Sequence, residues 1–244
     1  MLTFGFLSTV DFPLLPLCIS AAQQSGIENI IVICDSKTED DKSKKIWKER
    51  TGTAFDVKGE IPVGIYRLDG KPVPFYFVES HNSKRVQNLV EVLNISCLLN
   101  VYTPRKISSD LIRFMRNGIV NIHPGILPEY RGCTAVEWSI LDDEKVGNTA
   151  HFMDEGYDTG PIIRSETYEF SLDDDYQSIR TYVYKSGCIL AGKVLADIQD
   201  SDLRPCDAKV QNHEKGRYWR PIPDDKMQTV LSNLKSNSYK YQSG

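Results

Sequence analysis

Apolar positions along this chain fall into short runs separated by polar, helix-length stretches. Leu2–Leu7 reads as a strand, and Ser8, Thr9, Asp11 and Pro13 after it form a helix-start signal with proline just inside. That helix is expected to reach about Gln24 and to stop at Gly26. Asn29–Cys34 is a β-branched run of the kind buried on both faces of a parallel sheet. Residues 35–52 are charged enough to predict a solvated helix. Residues 53–74, punctuated by Gly59, Pro62, Gly64, Gly70, Pro72 and Pro74, predict an irregular insertion with room for a hairpin. Phe75–Val78 resumes as a strand, and Glu79–Ser83 caps a helix over Lys84–Leu93. Strand, helix and strand follow at Ser96–Val101, Ser108–Arg116 and Gly118–Ile122. This alternation predicts an α/β fold, a mostly parallel sheet with helices on both faces. Ligands of such sheets bind beyond the carboxyl ends of the strands. Ser8, His81, Asn82, Tyr102 and Asn121 all follow strands, so they are expected to line one rim as substrate or cofactor contacts.

The pattern changes after Ser201. Residues 1–200 are expected to form the main domain and 201–244 a small C-terminal appendage of hairpin, helix and mobile tail. Within it, Arg217 and Arg220 flank the two aromatics Tyr218 and Trp219. Two readings stand side by side: guanidinium groups holding a diphosphate while the rings stack a base, or rings that anchor a hairpin to the core. Asp224 to about Leu234 predicts a helix.

Composition narrows the function classes. Net charge is −4 and pI about 5.6, so the basic stripe expected of a nucleic-acid binder has little to draw on. The six cysteines are scattered without a CxxC pair, which fits buried thiols in a reducing compartment. The N-terminus lacks the basic flank of a signal peptide, and no apolar run approaches bilayer length. A cytoplasmic location with no membrane or nucleic-acid partner is expected. His81 and His213 have no supporting metal-ligand spacing, so no metal is expected. No GxGxxG or Walker motif follows the first strand.

The candidate chemistry lies between Asn121 and Ile163. Asn121 and His123 are two residues apart at a strand end, where i and i+2 share a face. Pro124 and Pro128 fix the loop that leaves the strand. Asp158 follows on an acidic, glycine-containing loop. An amide, an imidazole and a carboxylate in one pocket suit acyl transfer to an amine. The amide and a protonated imidazole can hold the oxyanion. The carboxylate can keep the imidazole charged, or accept the proton shed by the attacking amine. Taken singly, Asn-x-His and Asp-Thr-Gly are both common turn sequences. His151, in the alternating run Thr149–Met153, reads as a strand or pocket-wall residue.

Together, Asn121-x-His123-Pro124-x-x-Leu127-Pro128 and Asp158-Thr159-Gly160-Pro161-Ile162 resemble the formyltransferases that use N10-formyltetrahydrofolate. The resemblance is strong over about residues 98–170. It implies a Rossmann-like domain, Asn121, His123 and Asp158 as catalytic residues, and N10-formyltetrahydrofolate as co-substrate. It further implies that Tyr102, Arg105, Ile107, Asp154 and Gly156 line the donor pocket, although Tyr102 and Ile107 equally suit packing roles. Gly125 departs from the serine usual in the tRNA and purine branches and looks like the sugar-nucleotide branch. The acceptor expected on that basis is a nucleotide-linked deoxyamino sugar of the dTDP-4-amino-4,6-dideoxyglucose type, used for O-antigen or related surface glycans. Tyr130, Arg131 and the Arg217–Arg220 cluster are its candidate contacts, and a homodimer is the expected assembly. Alternatives are a phosphoribosylglycinamide formyltransferase, a methionyl-tRNA formyltransferase-like enzyme, hydrolysis of the formyl donor, or a non-catalytic folate-binding protein.

Overall fold

The computed structural model describes residues 1–9, 11–37, 41–55, 66–68 and 71–243. Its elements run β1 (Thr3–Thr9), α1 (Leu15–Gln24), β2 (Ile30–Asp35), α2 (Asp41–Thr51), β3 (Tyr66–Leu68), β4 (Lys71–Val73), β5 (Phe75–Val78) and α3 (Lys84–Val92). Next come β6 (Ile95–Asn100), α4 (Ser109–Phe114), β7 (Ile119–His123), β8 (Arg131–Gly132), α5 (Ala135–Leu141), β9 (Val146–Phe152) and β10 (Ile162–Tyr168). The chain closes with β11 (Phe170–Ser171), α6 (Tyr176–Ser201), β12 (Tyr218–Trp219), α7 (Asp224–Lys235) and β13 (Gln242–Ser243).

A seven-stranded sheet in the order β10-β9-β7-β6-β1-β2-β5 carries the fold. The five strands from β7 to β5 are parallel, and β9 runs antiparallel to both β7 and β10. Strand order reverses around β1, flanked by β6 and β2, which opens a crevice beyond the carboxyl ends of β1 and β6. One face of the sheet packs on α1 and α6 through Phe4, Phe6, Val120, Ile19, Leu190 and Val194. The other face packs on α3 and α4 through Ile33, Leu98, Ile119, Val86 and Leu111. Residues 119, 121 and 123 therefore face the α3/α4 side, and 120 and 122 the α1/α6 side.

Several expectations need correction. The first helix starts at Leu15 with Pro16 in its first turn, later than the Ser8 signal suggests. The stretch 53–74 does hold the antiparallel pair it left room for, β3 with β4; residues 56–65 and 69–70 lie outside those described. No hairpin forms after Ser201. Tyr218–Trp219 instead pairs parallel with Arg131–Gly132, because Trp219 seats between Tyr130 and Trp138. The tail up to Ser243 is docked, with β13 paired to β11 and Tyr239 buried under α5 and α6 residues. The Tyr239 hydroxyl donates to the Glu144 carbonyl at 2.7 Å.

Candidate active site

Register builds the site. Asn100 is the Cα partner of Asn121, and Asn121 that of His151, so three polar side chains stand in a row across β6, β7 and β9. One chain of hydrogen bonds orients all three. The Phe152 carbonyl can only accept, so the His151 Nδ1 at 2.9 Å carries the proton. His151 Nε2 is then an acceptor for Asn121 Nδ2 at 3.1 Å, which turns Asn121 Oδ1 toward Asn100 Nδ2 at 2.8 Å. One Asn121 N–H remains free to point into the adjoining cavity.

Asp158 closes the cluster from a loop. Its backbone is left-handed at φ 56°, uncommon for a residue with a side chain, and aims the carboxylate at two imidazoles. Oδ2 accepts from the Gly132 N–H at 2.9 Å and lies 3.5 Å from His123 Nδ1. Oδ1 lies 3.7 Å from His151 Nε2. The carboxylate is desolvated, yet His123, His151 and the Gly132 amide together hold it down at about 2. His123 is buried, and its Nε2 donates to the Tyr130 carbonyl at 2.6 Å. Burial lowers its pKa below the ordinary histidine value, although Asp158 and the Tyr130 carbonyl pull the other way. An ionised Asp158 and a neutral His123 are therefore the forms favoured at neutral pH. Gly125 fits this packing. A Cβ there would stand 2.8 Å from His123 Nε2 and 2.6 Å from the Ala135 methyl. Gly160 is required as well, since its Cβ would lie 1.9 Å from the Phe152 carbonyl.

One cavity is lined by this cluster, and a second adjoins the first at Asn100. The first, about 380 Å³, is walled by Asn121, His151 and Asp158 on one side and by residues 103–107 and 153–157 on the other. Arg105, Ile107, Asp154 and Gly156, which the family resemblance assigns to a donor pocket, all line it. Their contributions differ. Arg105 is held by Asp35 through two 3.1 Å bonds, and Ile107 is buried in the α3/α4-side core. Asp154 Oδ1 accepts from Gly156 N and Thr159 Oγ1 at 3.0 and 2.6 Å and shapes the loop. The second cavity, about 390 Å³, lies on the α1/α6 side and is mainly apolar, with Phe12, Trp47, Tyr102, Tyr184, Ile122 and Pro124 in its wall. Tyr102 belongs here, stacked on Phe12 with ring centroids 4.6 Å apart, and does not line the first cavity. Arg50 brings a cation to the wall and sits 3.9 Å from Glu137, which also faces Arg180. Asn100 lines both cavities.

Other candidates turn out to be structural. Ser8 is fully buried, its hydroxyl on the Thr9 carbonyl. His81 is buried, with Nε2 on the Ile33 carbonyl at 2.9 Å. Asn82 uses both ends of its amide to tie the 106–108 loop. Tyr130 and Arg131 are buried under the C-terminal segment. Trp219 is 7% exposed, and its indole N–H donates to the Glu129 carbonyl at 3.0 Å. Arg217 caps that ring at 3.7 Å and is thus part of the anchor. Arg220 is exposed and its carbonyl accepts from Trp138. Tyr218 is exposed, its ring 6.1 Å from that of Tyr157, which lines the first cavity. His151 is the residue sequence reading undervalued. The one available signal is that it lies on the same strand face as Thr149 and Met153, just ahead of the Asp158 loop.

Among the described residues, no cluster of three or more His, Cys, Asp or Glu is placed to hold a metal ion, and no helix is long and apolar enough to cross a membrane.

The family model described as formyl transferase matches residues 6–192. A methionyl-tRNA formyltransferase of Trichodesmium erythraeum is 35% identical over 100 residues, which cover 41% of this chain and 30% of that protein. The chain thus spans well under half the length of such curated relatives. Among solved structures, a sugar N-formyltransferase from a Shewanella species superposes with a TM-score of 0.60 at 17% identity, covering 95% of this chain and 87% of that one. A phosphoribosylglycinamide formyltransferase of Bacillus halodurans gives 0.57 at 20% identity, covering 82% and 97%. At these identities the superpositions speak for the fold.

Proposed function

The chain belongs to the formyl transferase family, and on that premise we propose that it moves a formyl group from N10-formyltetrahydrofolate to the primary amine of a nucleotide-linked deoxyamino sugar. The observation that carries this reading is that Asn121 and Asp158, with His123 buried behind them, line a cavity that shares Asn100 with a second cavity on the other side of the sheet. One cavity can take the donor and the other the acceptor. The pterin enters between the 103–107 and 153–157 loops. The acceptor enters from the α1/α6 side, its base among Phe12, Trp47, Tyr102 and Tyr184 and its charge toward Arg50. This aromatic wall supports the nucleotide better than the Arg217–Arg220 segment, whose tryptophan is buried. A dTDP-4-amino-4,6-dideoxyhexose used in surface-glycan synthesis is the acceptor best suited.

The neutral amine attacks the formyl carbon, and the free Asn121 N–H receives the developing oxyanion. Asp158 and His123, both in their basic forms, take up the proton that the amine sheds and return it to N10 as the carbon–nitrogen bond breaks. His151 holds the Asn121 amide in its working orientation. Cavity walls that fix both reactants make the step effectively unimolecular.

The acceptor is tested by offering dTDP-, UDP- and GDP-linked aminosugars with the formyl donor and measuring mass gain of one formyl group. Methionyl-tRNA and glycinamide ribonucleotide are included, because relatives and structural neighbours bear those names. Transfer to either of these and to no sugar nucleotide overturns the acceptor assignment. Stacking of a base is worth about 1–3 kcal/mol. Trp47→Ala is therefore expected to raise the acceptor KM by at least about fivefold and leave the donor KM within about twofold. Equal effects on both KM values would place the nucleotide elsewhere.

The pH dependence follows from the same charges. Activity needs His123 neutral and Asp158 ionised, so kcat should hold above the histidine range and fall as His123 gains a proton. Asp158 raises the His123 pKa. Removing its charge in Asp158→Asn should accordingly move the acid limb of the residual activity to lower pH. A limb that stays put or moves upward would mean that a different group titrates.

A further inference from the structure

The segment that follows the matched family region crosses directly over the Asp158 loop. Lys209 and Ile162 exchange backbone hydrogen bonds at 2.8 and 3.0 Å, and Arg217 and Trp219 accept from the amides of Arg131 and Cys133. Between these two anchor points the Gln211 side chain is inserted beneath the loop, 4% exposed. Its Nε2 donates to the Asp158 carbonyl at 2.9 Å and to the Gly160 carbonyl at 2.7 Å. These carbonyls flank the turn that carries the carboxylate.

From this geometry we infer that Gln211 is a positioning residue for the transfer reaction, acting through Asp158. A left-handed backbone on a residue with a side chain is unfavourable and persists only where the surroundings over-determine it. At Asp158 two restraints do so: the Gly132 amide on the carboxylate and the Gln211 amide on the carbonyl. A buried carbonyl without a partner is costly, so losing Gln211 lets the peptide rotate toward water. Rotation there swings the carboxylate away from His123 Nδ1 and His151 Nε2, which lie 3.5 and 3.7 Å off. Nothing in this argument requires Gln211 to touch either substrate, and it lines neither cavity. The C-terminal segment is thus a brace for the catalytic loop.

The inference rests on the formyl-transfer reading, so wild-type activity is measured alongside. Gln211→Met keeps the side-chain length and removes both donors; Gln211→Lys is one atom longer and keeps a donor. Gln211→Met is expected to lower kcat about tenfold or more, with both KM values within about twofold. Its acid limb should move to lower pH, because His123 then loses part of the carboxylate that supports its protonated form. The groups facing His123 and Asp158 are each other, His151, the Tyr130 carbonyl, the Gly132 amide and Tyr218, whose hydroxyl is neutral throughout the acid range. Gln211→Lys should recover part of kcat; its added charge keeps it out of the pH comparison. Gln211→Asn keeps its donors but is too short to reach both carbonyls, and it is read in the same way should the methionine protein not fold. A merely structural role predicts lower thermal stability with unchanged kcat and pH profile per folded molecule, and that result overturns the proposal. An inactive wild type would instead overturn the formyl-transfer reading itself.

Discussion

Asp158→Asn and His123→Asn are each expected to lower the turnover number for formyl transfer by at least about a hundredfold, the scale of losing an acid–base or oxyanion group. The two substitutions act on one unit. Asp158 is held ionised at about 2 by its contacts with two imidazoles and the Gly132 amide. His123 is kept neutral chiefly by burial. Asparagine at 158 can still accept from Gly132 but cannot take a proton. Asparagine at 123 can place its amide near the Nδ1 position facing Asp158, but it is too short to reach the Tyr130 carbonyl and cannot take a proton. Because the residues share one proton, the double variant should be little worse than the poorer single one. Initial rates at saturating substrates, with circular dichroism to verify folding, decide the matter. Turnover near the wild-type value in either folded variant would remove that residue from the mechanism.

The second large effect is on stability. Trp219→Ala should cost about 3–5 kcal/mol, the range for emptying a buried tryptophan site. Trp219 sits in a cluster with Tyr130, Ala135 and Trp138, and stacks on Tyr130 with centroids 5.8 Å apart. The substitution also leaves the Glu129 carbonyl without its indole donor. Its backbone pairs with the strand from which Gly132 reaches Asp158, so local loosening should accompany the global loss. Denaturant unfolding of both proteins measures the difference. A loss below about 1 kcal/mol would mean that the ring does not anchor the C-terminal segment.

Asn121 and His123 were legible because a strand end followed by proline fixes which side chains share a face. Asp158 was legible because a Gly-Tyr-Asp-Thr-Gly loop cannot be a regular element. His151 was not, because its role depends on being opposite Asn121, and the register between β7 and β9 is set by packing that a single sequence does not display. The 26-residue α6 also escaped sequence reading. It buries positions from Ile179 to Ile198 around much of its circumference and so lacks the polar stripe of a surface helix. Ser8 and His81 look like rim residues by position, but burial turns their polar atoms back onto the chain's own carbonyls. For Trp219 the sequence left two readings open. The contact that decides between them, with Tyr130 and Trp138, joins segments far apart in the chain.

The most direct measurement of the two-cavity account is a crystal structure of the dead-end complex with tetrahydrofolate and the formylated nucleotide sugar. The pterin should lie between the 103–107 and 153–157 loops. The sugar nucleotide should occupy the Phe12–Trp47–Tyr102 cavity, with its formamide oxygen within hydrogen-bond reach of Asn121 Nδ2. A pterin bound away from His151 and Asp158, or a nucleotide resting on Arg217 and Tyr218 with the aromatic cavity empty, would contradict it.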